Sequence, residues 1–172
     1  MPAPFNTIDL TTLALKPGEA SRVDVDLVPE GFELAGESYA FDPAAVPSRL
    51  EISRTAAGYA LRLRVAAELA GPCMRCLTAA TFPVEVDSRE VDQPGTDDEE
   101  LTSPYVHGGV LDIGAWAHDA IALALPQSLL CRADCAGLCP ECGVSLNDAD
   151  PAAHVHERAP DPRWGKLREL LD

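Results

Sequence analysis

Between Tyr59 and Leu69, the residues Tyr59, Leu61, Leu63, Val65, Ala67 and Leu69 face one way, and Arg62, Arg64 and Glu68 face the other. A period of two marks a strand buried on one face. Phe82, Val84 and Val86 alternate in the same manner with Thr81, Glu85 and Asp87, which predicts an antiparallel partner across a hairpin whose tip is GPCMRCLT. Two further strands follow from Val23, Val25 and Leu27 against Arg22, Asp24 and Asp26, and from Leu50 and Ile52 against Arg49, Glu51 and Ser53. Turns are expected at Lys16-Pro17-Gly18 and Ala57-Gly58.

The period changes after DQPGTDDEELTS (92–103), an acidic stretch poor in apolar residues that reads as a mobile, solvated connection. Ile113, Trp116, Ala117, Ala120, Ile121 and Ala124 mark one face of a helix, with Asp112 as its N-cap and Pro126 past its end. His118 lies on this helix with no Cys or His one turn away, so it reads as a packing or surface residue. Near the C-terminus, Asp161-Pro162 is a helix start, and Trp164, Leu167, Leu170 and Leu171 form a short apolar stripe.

Between these helices lies CRADCAGLCPECGVSLNDADPAAHVH (131–156), a run of turn residues carrying Cys131, Cys135, Cys139, Cys142, His154 and His156. Thiolate and imidazole are the ligands that zinc prefers. Together with Cys73 and Cys76 on the hairpin tip, they make eight candidate ligands for two four-ligand sites. Spacing permits two pairings. In one, Cys139, Cys142, His154 and His156 close a local site, and Cys73 and Cys76 meet Cys131 and Cys135. In the other, CxxC pairs with CxxC. The first is preferred because closing the short loop from Cys142 to His154 costs little entropy and no ligand is left over. The tight His-x-His spacing leaves room for Cys135 or water in place of one histidine. Two structural zinc ions are expected rather than one.

With 172 residues, 47% of them hydrophobic, the chain supports one ordinary core plus a small metal-stapled appendage. The fold class expected is α+β. It comprises an antiparallel, partly barrel-like sheet with one main helix (1–130), and a zinc-stapled Cys/His segment ending in a short helix (131–172). No basic, apolar leader and no run near the roughly 18 apolar residues of a membrane span occurs, so a cytoplasmic protein is expected. In a reducing compartment six cysteines argue for metal or thiol chemistry over disulfides. A net charge of -15 excludes a broad basic face for phosphate and suits a basic protein partner or plain solubility. No Gly-rich phosphate loop and no serine elbow is present. Full Cys and His coordination leaves no open position on a metal, so no enzyme activity is expected; a CxxC thiol-redox enzyme and a generic zinc-binding interaction module are the alternatives.

CMRCL after a long alternating strand, then GGVLDIGAWAHDAIALALP, CRADCAGLCPECGVSLND and DPRWGKLREL together resemble the YceD family of large ribosomal RNA subunit accumulation proteins. The resemblance runs from about Leu61 onward, and GLCPECGVSLND is its most specific part. Many members of that family carry Cys-x-Cys where this chain has His154-Val155-His156, a change that keeps zinc-ligand character. The resemblance implies a non-enzymatic factor for 23S ribosomal RNA accumulation and large-subunit assembly. The family's gene commonly lies beside that of a small basic protein of the large subunit. The partner expected is therefore such a protein or an assembly intermediate, with direct RNA contact left open.

Overall fold

The computed structural model describes residues 6–150 and 154–156. The C-terminal helix expected around Trp164 to Leu171 lies outside them. In chain order the strands are β1 (Thr7–Asp9), β2 (Ala20–Leu27), β3 (Phe32–Leu34), β4 (Glu37–Phe41), β5 (Val46–Arg54), β6 (Tyr59–Pro72), β7 (Ala79–Asp92), β8 (Val106–His107) and β9 (Val110–Asp112). One helix, α1 (Ile113–Ala124), follows directly on β9. The described chain is thus mostly antiparallel sheet with one main helix.

β6 organises the sheet because it is long and alternates from Leu61 to Leu69. Along one edge it pairs with β7 from Tyr59↔Asp92 to Pro72↔Ala79. Along the other it pairs first with β5, from Arg54↔Tyr59 to Ser48↔Val65, and then with β4 at Ala40↔Ala70 and Phe41↔Leu69. β2 extends the sheet beyond β5, and β3 hairpins onto β4. The partly barrel-like closure expected from the alternation is not found. Among the described residues β7 pairs only with β6, and no ladder joins it to β2. Alternation specifies which face is buried; closure needs a second bonding edge, which the pattern cannot encode. β1, β9 and β8 form a separate small sheet, in which Thr7 to Asp9 pairs with Val110 to Asp112.

Leu50, Ile52, Leu63 and Leu69 on the inner face are fully buried, each contributing about 1.5–3 kcal/mol of transfer free energy. The outer face carries Arg62 on Asp87 at 2.7 Å and Arg49 on Asp24 at 2.7 Å. Such exposed pairs contribute about 0–1 kcal/mol each, so the core and not the charge ladder holds the sheet. The helix begins as expected, with Asp112 Oδ1 accepting from the Ala115 N–H at 2.9 Å. It buries Ile113, Trp116, Ala117 and Ile121. Ala124, expected on the same face, is exposed together with Leu123. His118 stacks on Phe32 with ring centroids 4.7 Å apart, a packing role. The acidic connection is largely exposed and turns back on itself through Gln93 N–H to Leu101 O at 2.8 Å and a 3-10 turn, Glu99–Leu101, capped by Asp98.

At its far end the β6–β7 hairpin brings the chain to the cysteines. Tyr39 reaches across this end, its hydroxyl donating to Pro72 O at 2.8 Å. A Cβ on Gly71 would overlap the Tyr39 ring, so only glycine admits the ring here.

Candidate metal centres

Two CxxC turns, far apart in sequence, have the same backbone design. In the first, the Cys73 N–H donates to Thr78 O and the Leu77 N–H to Cys73 O, both at 2.9 Å. In the second, the Cys139 N–H donates to Val144 O and the Gly143 N–H to Cys139 O, both at 2.8 Å. Each turn puts two sulfurs on one side and needs a left-handed residue just after the second cysteine. Gly143 fills that place at φ 72°, and Leu77 fills its counterpart at φ 59°. A leucine there costs about 1–2 kcal/mol, and its side chain, 57% exposed, recovers little by burial. Leu77→Gly is therefore expected to stabilise the protein by about 0.5–1 kcal/mol in urea unfolding, after the entropy cost of glycine is subtracted. Gly143→Ala is expected to destabilise it by about 1 kcal/mol. A Cβ at Gly143 meets nothing within 4 Å, so that penalty is one of backbone conformation alone.

The hairpin tip docks on the segment after α1. Met74 N–H donates to Leu129 O at 2.9 Å, and Arg75 Nη1 to Cys135 O at 3.0 Å. These contacts bring Cys73, Cys76, Cys131 and Cys135 together, with all four sulfurs within 4.8 Å of one another. Cys73 Sγ lies 3.8 Å from Cys135 Sγ, and Cys76 Sγ lies 3.6 Å from Cys131 Sγ. These are too long for disulfides, and all six cysteines are free. They match the edge of about 3.8 Å that a tetrahedron with metal–sulfur bonds of about 2.3 Å requires.

The second cluster gathers Cys139, Cys142, His154 and His156, again with one ligand atom from each within 4.8 Å of the rest. Cys139 Sγ is 3.3 Å from His156 Nε2, Cys142 Sγ is 3.7 Å from His154 Nε2, and the two Nε2 atoms are 3.1 Å apart. Both histidines thus turn the same nitrogen inward. His156 Nδ1 faces Glu141 Oε2 at 3.5 Å, an arrangement that favours the tautomer with its proton on Nδ1 and its Nε2 lone pair turned toward a metal.

The thiols are perturbed accordingly. Burial pushes Cys73 up, but the N–H groups of Cys131, Arg75 and Cys76 outweigh it and leave the thiol at about 6. Thr78, through its hydroxyl and its N–H, holds Cys76 below the usual thiol value. Cys131 is pushed up to about 12 by desolvation of its sulfur and by the sulfurs of Cys76, Cys135 and Cys73. His154, then the N–H groups of Cys142 and Glu141, bring Cys139 to about 6. In the first cluster two thiols are drawn down and a third is pushed up by desolvation and the neighbouring sulfurs, a conflict that a divalent cation relieves. Both donor sets fit a tetrahedral ion such as zinc.

All eight residues singled out by spacing therefore fall into two clusters, one of four cysteines and one of two cysteines and two histidines. Sequence reasoning missed Thr78 and Asn147. Thr78 Oγ1 lies 3.3 Å from the Cys76 sulfur, and Asn147 Nδ2 donates to the Cys135 sulfur at 3.5 Å. Thr78 carries no signal beyond its closeness to a CxxC, and Asn147 none beyond its place in GLCPECGVSLND. Among the described residues no helix is long and apolar enough to cross a membrane.

No solved structure matches the chain. Uncharacterized proteins of Mycobacterium bovis and Mycobacterium tuberculosis are each 35% identical to it over 171 residues, covering 96% of this chain and 81% of theirs. An uncharacterized protein of Mycobacterium leprae is 37% identical over 112 residues, covering 62% of this chain and 50% of its own length. The family model described as large ribosomal RNA subunit accumulation protein YceD matches residues 61–171, a span that holds both CxxC turns and both histidines. The chain belongs to the YceD family.

Proposed function

We propose that this chain is a non-enzymatic ribosome-biogenesis factor that supports 23S ribosomal RNA accumulation and large-subunit assembly in the cytoplasm, with structural zinc in both clusters. Membership of the YceD family, whose description names large ribosomal RNA subunit accumulation, is the observation that carries this reading. The zinc reading rests on two complete four-ligand sets with tetrahedral edges. Four protein ligands per ion leave no position for an activated water, which suits a structural and not a catalytic metal. A thiol-redox role finds little support, because each CxxC precedes a left-handed turn instead of opening a helix, and Cys73 is fully buried. In this reading Cys131 to Asp150, with His154 and His156, form a zinc-bound segment clamped to the sheet through Cys73 and Cys76.

The partner proposed is a large-subunit assembly intermediate or a small basic ribosomal protein. A net charge of -15 favours a basic surface and accelerates encounter with it, with an on-rate that falls steeply as salt is raised. Depleting the protein from cells is expected to lower the ratio of 23S to 16S RNA several-fold, measured on total RNA. An unchanged ratio would defeat the assembly role and leave a generic zinc-binding interaction module.

A further inference from the structure

We propose that Asn147 is a positioning residue through which the second cluster controls metal retention in the first. The inference rests on the zinc reading of both clusters. Asn147 belongs to the arm that returns from the second CxxC turn. That arm is tied back by Cys139 N–H to Val144 O, by a bridge between Leu138 and Ser145, and by Leu146 N–H to Gly137 O at 2.8 Å. Its carboxamide then points out of the second cluster and into the first.

The orientation of this amide is chemically determined. Its Oδ1 accepts from the Ala136 N–H at 2.8 Å and from Arg132 Nη2 at 3.2 Å. Two donors at one end require oxygen there, which leaves Nδ2 to face Cys135 Sγ at 3.5 Å. Arg132 also donates to the main-chain O of Asn147 at 3.2 Å. The amide thus closes the Cys131–Cys135 loop from outside and supplies an N–H to one of its sulfurs. Such outer contacts fix the direction of a ligand and take up part of its charge, and losing one typically costs about 10–100-fold in metal affinity.

Asn147 reaches Cys135 only while the arm is folded. The arm's anchor is the second cluster, where Cys139 and Cys142 are held by histidines from beyond Asp150. Metal in the second site therefore holds the Asn147 donor in place, and by linkage metal in the four-cysteine site favours the folded arm. No tie between the two sites other than this short arm is required.

Asn147→Asp isolates the contact. It has the same shape and keeps the acceptor for Ala136 and Arg132, but it replaces the N–H donor by an anion beside the sulfur. Cobalt(II) loaded into the full chain reports each site separately, because four-sulfur ligand-field bands fall at longer wavelength than two-sulfur, two-imidazole bands. Chelator-driven loss of the longer-wavelength bands is expected to speed up at least about tenfold in Asn147→Asp, with the shorter-wavelength bands retained at the start. Cys142→Ser, which opens the second site, is expected to speed loss from the first by a similar factor. The double variant is expected to be no faster than either single one, the signature of a shared contact. Unchanged loss in Asn147→Asp, or effects that multiply in the double variant, would overturn the coupling while leaving both sites standing. A chain that forms no four-sulfur cobalt spectrum would instead overturn the metal reading itself.

Discussion

Cys135→Ser is expected to free the hairpin tip from the segment after α1 and to cost about 4 kcal/mol of stability. Cys135 is 1% exposed and lies in the cluster that ties it to Cys73 across 62 residues of chain. A metal cross-link acts on the unfolded chain much as a disulfide does, and a loop of that length is worth about 4 kcal/mol in closure entropy. Serine keeps the volume but offers a shorter, harder and far less acidic ligand, so the three remaining cysteines hold zinc poorly. One zinc per chain is expected to be lost in metal analysis, together with a lowered urea midpoint and new protease cleavage in the 126–140 stretch. Chelator treatment of the wild-type chain is expected to move its unfolding curve toward that of the variant. Retention of two zinc ions per chain with an unshifted midpoint would show that the cluster is not a metal staple.

The parts of the fold that were legible in sequence are those in which one residue's environment is set by its near neighbours. The alternation from Tyr59 to Leu69 and from Phe82 to Val86 was readable because one face is core and the other water, and β6 and β7 follow it. The helix was readable for the same reason at period 3.6, down to its Asp112 cap. β1, β8 and β9 were not readable. Each has three residues or fewer and exists only because Ile8 pairs with Leu111 and Val106 with the same residue, contacts that no local window contains. The β3–β4 hairpin did leave a signal, in the alternation of Tyr39 with Phe41 and the left-handed Ala35-Gly36 turn.

The ligands divide along the same line. Residue type and spacing singled out all eight candidates, but two pairings remained compatible with spacing. Long-range contacts separate the pairings in the structure. Met74 on Leu129 and Arg75 on Cys135 seat the hairpin tip over the Cys131–Cys135 loop, which leaves Cys139 and Cys142 to His154 and His156. Asn147 stands in the GLCPECGVSLND motif, but its role was illegible because it depends on which way an arm folds back, which neither periodicity nor spacing expresses.

Trp116→Ala is expected to destabilise the chain by about 3–5 kcal/mol, the cost of deleting a large buried ring. Trp116 is 1% exposed, lies parallel to Tyr105 at a centroid distance of 6.2 Å, and donates from Nε1 to Ser88 Oγ on β7 at 3.0 Å. It is the main bolt between α1 and the sheet, and alanine both opens a cavity and leaves the Ser88 hydroxyl without its donor. Trp116→Phe keeps most of the apolar volume and is expected to cost about 1–2 kcal/mol; the hydrogen bond to Ser88 is lost in both variants, so their difference reads the ring volume. Zinc content is expected to stay at two per chain in both, because neither cluster draws a ligand from α1 or from the core face it covers. The two substitutions therefore fail in opposite ways: Cys135→Ser loses metal from a chain whose core persists, and Trp116→Ala loosens the core of a chain that keeps its metal. Zinc lost from Trp116→Ala at temperatures where the chain is still folded would mean that the hairpin tip is positioned by the helix and not by its own ligands, since Leu129, which accepts from Met74, is joined to α1 by only a few residues.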